Sequence, residues 1–316
     1  MKMIEVIRPG LLTTVQDCGR YGYQQYGVPV CGAMDGYAFT VANLLVGNNE
    51  GDACLEISLL GPCLRVLCDT AIAVTGADLN PTVNEEPLSM WQAVSVRCAD
   101  VISFGEPRTG CRSYLAIAGG IDVPEVMGSR STYVRSRLGG LDGRPIRSGD
   151  SLHTGGSRPL LTAKLPRQYI PELMAENTLR VILGPQHDRF TEKGIHTFLS
   201  SEYTVTAQAD RMGCRLEGPP IEHIHGADIM SDGIPPGAVQ VPADGLPIVL
   251  LADRQTTGGY TKIATVSTID LSKIAQAQLG DRMRFLEITC SEAHRLLSEY
   301  WDTIDGIKHC IRFNTQ

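Results

Sequence analysis

Short runs of Val, Ile, Leu and Thr recur along the chain, each closed within a few residues by Gly, Pro, Asn or Asp, which is the rhythm of antiparallel strands joined by tight turns. Strands are expected at 4–7, 64–68, 71–75, 94–98, 113–118, 179–183, 203–207, 238–241, 248–252, 263–266 and 283–288. Most are too short and too evenly spaced for parallel βαβ units. A 3.6-residue period surfaces in few places. Met34, Tyr37, Ala38, Val41, Leu44 and Leu45 share one helical face, with Asp35 as N-cap and Gly47 just past the end. A second helix is predicted from Ser291 through Ala293, Leu296, Leu297 and Tyr300, and a shorter one after Asp270 or Ser272. The pattern predicts a mainly β fold with a few short helices.

Between 155 and 177 the periodicity fails, first at Gly155-Gly156-Ser157-Arg158-Pro159 and then around Pro166 and Pro171. Two β-rich domains are expected on either side, 1–160 with the helix near 34–46, and 175–316. A length of 316 residues supports two domains at about 100–200 residues each. Composition at 43% hydrophobic excludes a disordered tail protein.

With 28 Lys and Arg against 35 Asp and Glu, the formal charge is −7 and no basic cluster stands out, so nucleic acid and anionic membrane are not expected partners. No apolar run approaches the roughly 18 residues that would span a bilayer. The start carries Glu5 and Arg8, which a secretory signal would not, and a cytoplasmic protein is expected. Ten irregularly spaced cysteines without a Cys-x-x-Cys pair read as reduced thiols, and no metal site is expected.

The densest chemistry lies in Leu251-Ala252-Asp253-Arg254-Gln255-Thr256-Thr257-Gly258-Gly259-Tyr260, where five polar residues follow an apolar strand. A turn alone needs no Gln, paired Thr and Tyr together, so this segment is a candidate site. Asp253 would act as a base or orient a donor. Gln255 with Thr256 and Thr257 would hydrogen-bond an amide, because a carboxamide presents donor and acceptor in one plane. Gly258 and Gly259 would let backbone amides approach an anion or a carbonyl oxygen. Arg211, in Asp210-Arg211-Met212-Gly213, would hold a carboxylate in a bidentate fork; a surface salt bridge is the simpler alternative. Gln240 interrupts the apolar strand before Pro242 and points either into a site or to water.

In the first half, Asp17 with Arg20, and Arg130 with Ser131, are compatible with an anion site, although structural turns fit them as well. No phosphate loop and no Gly-x-Gly-x-x-Gly after a strand is present. Met1-Lys2-Met3 repeats the tripeptide around a biotinylated lysine but sits at the chain start, away from any hairpin tip, so no covalent biotin is expected. His223-Ile224-His225 offers two metal ligands without an evident third.

Ordered blocks extend over nearly the whole chain: Arg8-Pro9-Gly10, Thr13-Thr14-Val15-Gln16-Asp17 with Gly19-Arg20, Gly32-Ala33-Met34-Asp35, Gly128-Ser129-Arg130-Ser131-Thr132, Gly184-Pro185-Gln186, Asp210-Arg211-Met212-Gly213, Gln240-Val241-Pro242 and Gln255-Thr256-Thr257-Gly258-Gly259-Tyr260. Through them the sequence resembles the biotin-dependent carboxyltransferase or allophanate-hydrolase-subunit-2 (KipA-like) family, and within it the C-type subunits of 5-oxoprolinase. The resemblance implies β-barrel-like domains of cyclophilin-like type in both halves. It implies an enzyme subunit opening 5-oxo-L-proline to L-glutamate with ATP, whose site could lie on another chain of the assembly. The partners it implies are a KipI-like and a LamB/YcsF-like component of 5-oxoprolinase, with activity only in the assembly. Biotin-dependent carboxyl transfer to urea or a related amide is one alternative, and regulatory capture of a kinase inhibitor is another. In this setting Arg211 would hold the substrate carboxylate or carbonyl, Gln240 and Gln255 would address the amide edge, and Asp253, Thr257 and Tyr260 would complete the site. Arg254 departs from the glycine usual in the family, which puts substrate identity in question.

Overall fold

The computed structural model describes residues 2–156, 163–173 and 177–313; part of the expected inter-domain connection, including Ser157, Arg158 and Pro159, lies outside the described residues. The chain divides into two units. One comprises Met1–Arg20, Cys31–Leu173 and Asp302–Gln316, the other Tyr21–Val30 and Met174–Trp301. Each unit thus takes a segment from the opposite half of the chain, an exchange that a single cut near 160–175 does not contain.

In the first unit a six-stranded sheet runs in the order β11 (Ser151–His153), β1 (Lys2–Arg8), β4 (Cys63–Val66), β9 (Val101–Ser103), β6 (Thr82–Val83) and β7 (Glu86–Pro87). A five-stranded sheet follows the order β2 (Leu12–Gln16), β3 (Cys54–Ser58), β10 (Thr109–Ile117), β5 (Thr70–Asp78) and β8 (Ala93–Val96). Ile4, Val6, Leu64 and Ile102 from one sheet and Leu55, Ile57, Val74 and Leu115 from the other meet in one buried cluster. The opposite face of the five-stranded sheet is polar: Thr14, Glu56, Tyr114 and Thr75 stand in register across four strands.

Helix α1 (Gly36–Leu45) lies against β5 and β10, and Thr75 donates to Ala38 O at 2.7 Å. Burial, together with the Glu56 charge, raises the Tyr114 pKa, so its hydroxyl stays protonated and donates to Glu56 at 2.7 Å. Asp35 caps α1 by accepting from Ala38 N at 3.1 Å, the N-cap role expected of it. Strand β3 is buried at all five positions, covered on both faces, and its Glu56 hides it from a hydrophobic-run reading.

The second unit closes a seven-stranded barrel: β12 (Thr178–Leu183), β19 (Lys262–Val266), β16 (Ala238–Gln240), β17 (Ile248–Leu250), β14 (Gly213–Glu217), β13 (Tyr203–Val205) and β20 (Arg282–Glu287). Among the described residues only β12 and β20 pair in parallel. A separate two-stranded ribbon joins β15 (Asp228–Gly233) to β18 (Thr257–Tyr260). Helix α2 (Glu192–Ser200), which the sequence pattern did not predict, stacks Phe198 on Phe285 of β20 at 4.3 Å. Helix α3 (Leu271–Ala275) follows Asp270 as expected. Helix α4 (Cys290–Phe313) runs well beyond Tyr300, because Ile304, Ile307 and Ile311 continue an apolar face past the polar stretch at its middle. No helix among the described residues is long and apolar enough to cross a membrane.

Candidate functional site

The barrel wall separates two environments. On β14, Cys214 and Leu216 are buried while Arg215 and Glu217 are exposed, so the first pair faces the interior. Cys214 stands opposite Val249, and Val249 opposite Val239, which puts Val239 inside and its neighbours Ala238 and Gln240 on the outer face. Gln240 is nevertheless only 2% exposed, because the β15/β18 ribbon covers it. Ile234, Ala238 and Leu250 form a small apolar floor beside it.

Over this floor the carboxamides meet. Gln255 Nε2 donates to Gln240 Oε1 at 3.4 Å, and Gln240 Nε2 donates to Tyr260 O at 3.4 Å. Both bonds exceed the ordinary range of about 2.7–3.2 Å for N–H···O and leave hydrogen-bonding capacity in hand. At Gly258 an added Cβ would stand 2.6 Å from Ile234 Cδ1 and 2.8 Å from Gln240 Nε2, so glycine is what lets the ribbon lie this close to the amides. Gly259 has no such constraint: its nearest neighbours would be at ordinary contact, 3.5 Å and beyond. Tyr260 contributes its carbonyl, and the residue is 42% exposed. Thr256 offers its carbonyl to Ile234 N, and Thr257 is an exposed residue opposite Gly233.

Two residues of this cluster, Lys262 and Asp232, carry no signal in the sequence that marks them as site residues, and a third, Gln186, stands in the Gly184-Pro185-Gln186 block without a role assigned to it. The pairing of β16 with β19 shifts register between Val239 and Gln240; the extra residue in β19 sets Lys262 opposite Gln240. Lys262 is 2% exposed, and its ammonium lies 3.3 Å from Oδ2 of Asp232, whose side chain is 58% exposed. Gln186 Oε1 accepts from the Lys262 amide at 3.2 Å. Asp232 is held below the ordinary carboxylate range, first by the amide of Gly233 and then by Lys262. A lysine at the head of Lys-Ile-Ala-Thr-Val reads as a polar flank, and only the bulge turns it inward under the ribbon.

Arg211 and Asp253 form a second group. Arg211 Nε donates to Asp253 Oδ2 at 3.0 Å and Nη2 to Oδ1 at 2.9 Å, both side chains being buried. The guanidinium edge that would fork a substrate carboxylate is therefore filled by Asp253, and the pair is neither the surface bridge nor the open clamp that spacing suggested. Asp210 caps the turn through Met212 N and Gly213 N. Arg254 is also buried and donates to Ile234 O at 2.9 Å and Leu251 O at 3.2 Å, bracing backbone. His223 lies 3.0 Å from Thr261 Oγ1 and 4.5 Å, ring to ring, from Phe190; burial lowers its pKa and favours the neutral ring.

The candidates of the first unit converge on Asp17. Its Oδ1 accepts from Gly19 N, Ser129 Oγ and Ser131 Oγ, and its Oδ2 from Arg130 N, at 2.5 to 2.8 Å. The anion that this loop binds is thus Asp17 itself. Arg130 turns its side chain to Val123 O and Glu125. Arg20 is wholly buried and donates to Val126 O and Ser131 O, tying the same loop from beneath.

The family model described as "Carboxyltransferase domain, subdomain A and B" matches residues 26–287. The chain is 38% identical to the C-type subunit of 5-oxoprolinase from Escherichia coli, over 92% of this chain and 93% of that protein. It is 32% identical to the corresponding 5-oxoprolinase subunit of Haemophilus influenzae over 98% and 99% of the two chains. Among solved structures, that of the K. lactis urea amidolyase superposes with a TM-score of 0.90 at 33% identity; the match covers 97% of this chain but spans only 20% of that one. The chain belongs to the carboxyltransferase-domain family made of subdomains A and B.

Proposed function

We propose that this chain is the C-type subunit of an ATP-dependent 5-oxoprolinase, opening the lactam of 5-oxo-L-proline to L-glutamate within an assembly. The reading is supported by 38% identity across almost the full length of both chains. What carries it chemically is the pair of carboxamides of Gln240 and Gln255, joined by a 3.4 Å bond over Gly258. A lactam has an N–H and a carbonyl on one edge, and two carboxamides can answer both at once.

ATP supplies the activation that a resonance-stabilised amide lacks. The helices of eight residues or more among those described engage first-turn amides with their own side chains: Asp35 for α1, Thr191 for α2, and Thr289 for α4. Each cap takes up one donor that a phosphate would otherwise use. In this reading the nucleotide site is placed on a partner, the KipI-like or the LamB/YcsF-like component, and no covalent biotin is involved. A cytoplasmic location accords with such an assembly.

The fit to urea amidolyase over 97% of the chain favours a second reading, carboxyl transfer from carboxybiotin to urea, for which the same amide-reading groups would serve. Co-expression with the KipI-like and LamB/YcsF-like components, followed by measurement of ADP release and glutamate formation, tests the choice. Turnover with 5-oxoproline and none with urea plus carboxybiotin is expected, together with a fall of about tenfold or more in Gln255→Ala, the size of losing one hydrogen bond made to the transition state. Undiminished turnover in that variant would remove the site assignment.

A further inference from the structure

The cluster holds one cation whose partner water can reach. Arg211 is committed to Asp253 along a full guanidinium edge, and Arg254 to two backbone carbonyls. Lys262 differs: among the described residues the polar partner of its ammonium is one oxygen of Asp232, 3.3 Å away. An ammonium carries three N–H donors. It is 2% exposed, yet the residue that separates it from solvent is 58% exposed and is itself a carboxylate.

We propose that Lys262 receives the carboxylate of the substrate and that Asp232 is its resident stand-in, displaced as the substrate enters. The inference rests on the 5-oxoprolinase reading and adds to it the residue that selects an acidic lactam over a neutral one. Exchanging one carboxylate for another keeps the buried ammonium paired throughout, so entry carries no penalty for stranding a charge. Lys262 stands opposite Gln240 in register, and the substrate's carboxylate and lactam edge are likewise neighbours in one small ring. The exposed side of the ribbon makes the exchange possible without opening the barrel, since Asp232 needs only to swing toward water.

The test compares 5-oxoproline with 2-pyrrolidinone, the same lactam without its carboxylate, in the assembled complex and in calorimetric binding to the same proteins. The preference for 5-oxoproline should fall about tenfold or more in Lys262→Met, the size of one lost charge-assisted hydrogen bond. It should rise in Asp232→Asn, where the competing charge is gone. A preference unmoved by either substitution overturns the proposal. If Lys262→Met fails to fold, the exposed Asp232→Asn decides alone. A wild-type complex that binds 5-oxoproline with this Lys262-dependent preference but releases no ADP overturns the catalytic reading and leaves the carboxylate site standing.

Discussion

Two buried polar clusters, one in each unit, are finished to different degrees. Around Asp17 the carboxylate accepts four hydrogen bonds of 2.5 to 2.8 Å, all from its own chain. Around Gln240 the bonds are 3.3 to 3.4 Å, and a buried ammonium shares one exposed carboxylate. Sequence spacing offered both as binding sites. A carboxylate already holding four close donors has little left for a ligand and works as a rivet, even with Arg20 Nη1 and Gln16 Oε1 buried nearby without a partner among the described residues, whereas a cluster closed by long bonds keeps capacity that a ligand can take up. The difference argues for placing chemistry in the second unit and stability in the first.

Removing the rivet should have the largest effect. Asp17→Ala leaves four donors without an acceptor, at about 1–3 kcal/mol for each buried group left unsatisfied and with less than full additivity, so a loss of about 3–5 kcal/mol in urea unfolding is expected. A loss below about 1 kcal/mol would show that water replaces the carboxylate and that the two clusters are alike.

Gly258→Ala comes next. Its Cβ must push aside the Ile234 methyl and the Gln240 amide, at about 1–3 kcal/mol of overpacking, and turnover of the assembled complex should fall further than the stability change explains. The pH dependence of stability supplies a smaller and separate contrast in the second unit. Burial pushes the Asp270 pKa up, but hydrogen bonds from the Arg180 side chain and amide, with Lys273 nearby, outweigh it and bring it below the ordinary value. A lowered folded pKa means stability that is present above the ordinary carboxylate range and lost as pH falls through the folded value. The gap between wild type and Asp270→Asn in unfolding midpoint should therefore be widest near neutrality and narrow in acid.

Gln240→Leu should show the smallest stability change, within about 1 kcal/mol, because its bonds are long and a similar volume is kept. Its turnover should nonetheless drop; equal stability and equal turnover would take Gln240 out of the site.

Much of the architecture could be read along the chain. The eleven expected strands correspond to β1, β4, β5, β8, β10, β12, β13, β16, β17, β19 and β20, because each carries its own apolar run. Strands such as β2, β3 and β15 were not legible: Glu56 and Asp232 break the runs of β3 and β15 and owe their places to partners elsewhere, and β2 reads as a polar motif because its two threonines lead into Gln16 and Asp17. The loop motif at 253–260 was visible as chemistry, but the identity of its partners was not.

Alternation, turn glycines and local caps act over a few residues, and a mainly β chain with α1 capped by Asp35 follows from them alone. Which polar groups are spent and which remain open was settled by contacts between distant residues: Ser131 reaches Asp17 across 114 positions, Asp253 reaches Arg211 across 42, and a single bulged residue turns Lys262 under the ribbon. Hydrogen-bond saturation depends on distance in space, and spacing along the chain carries no measure of it.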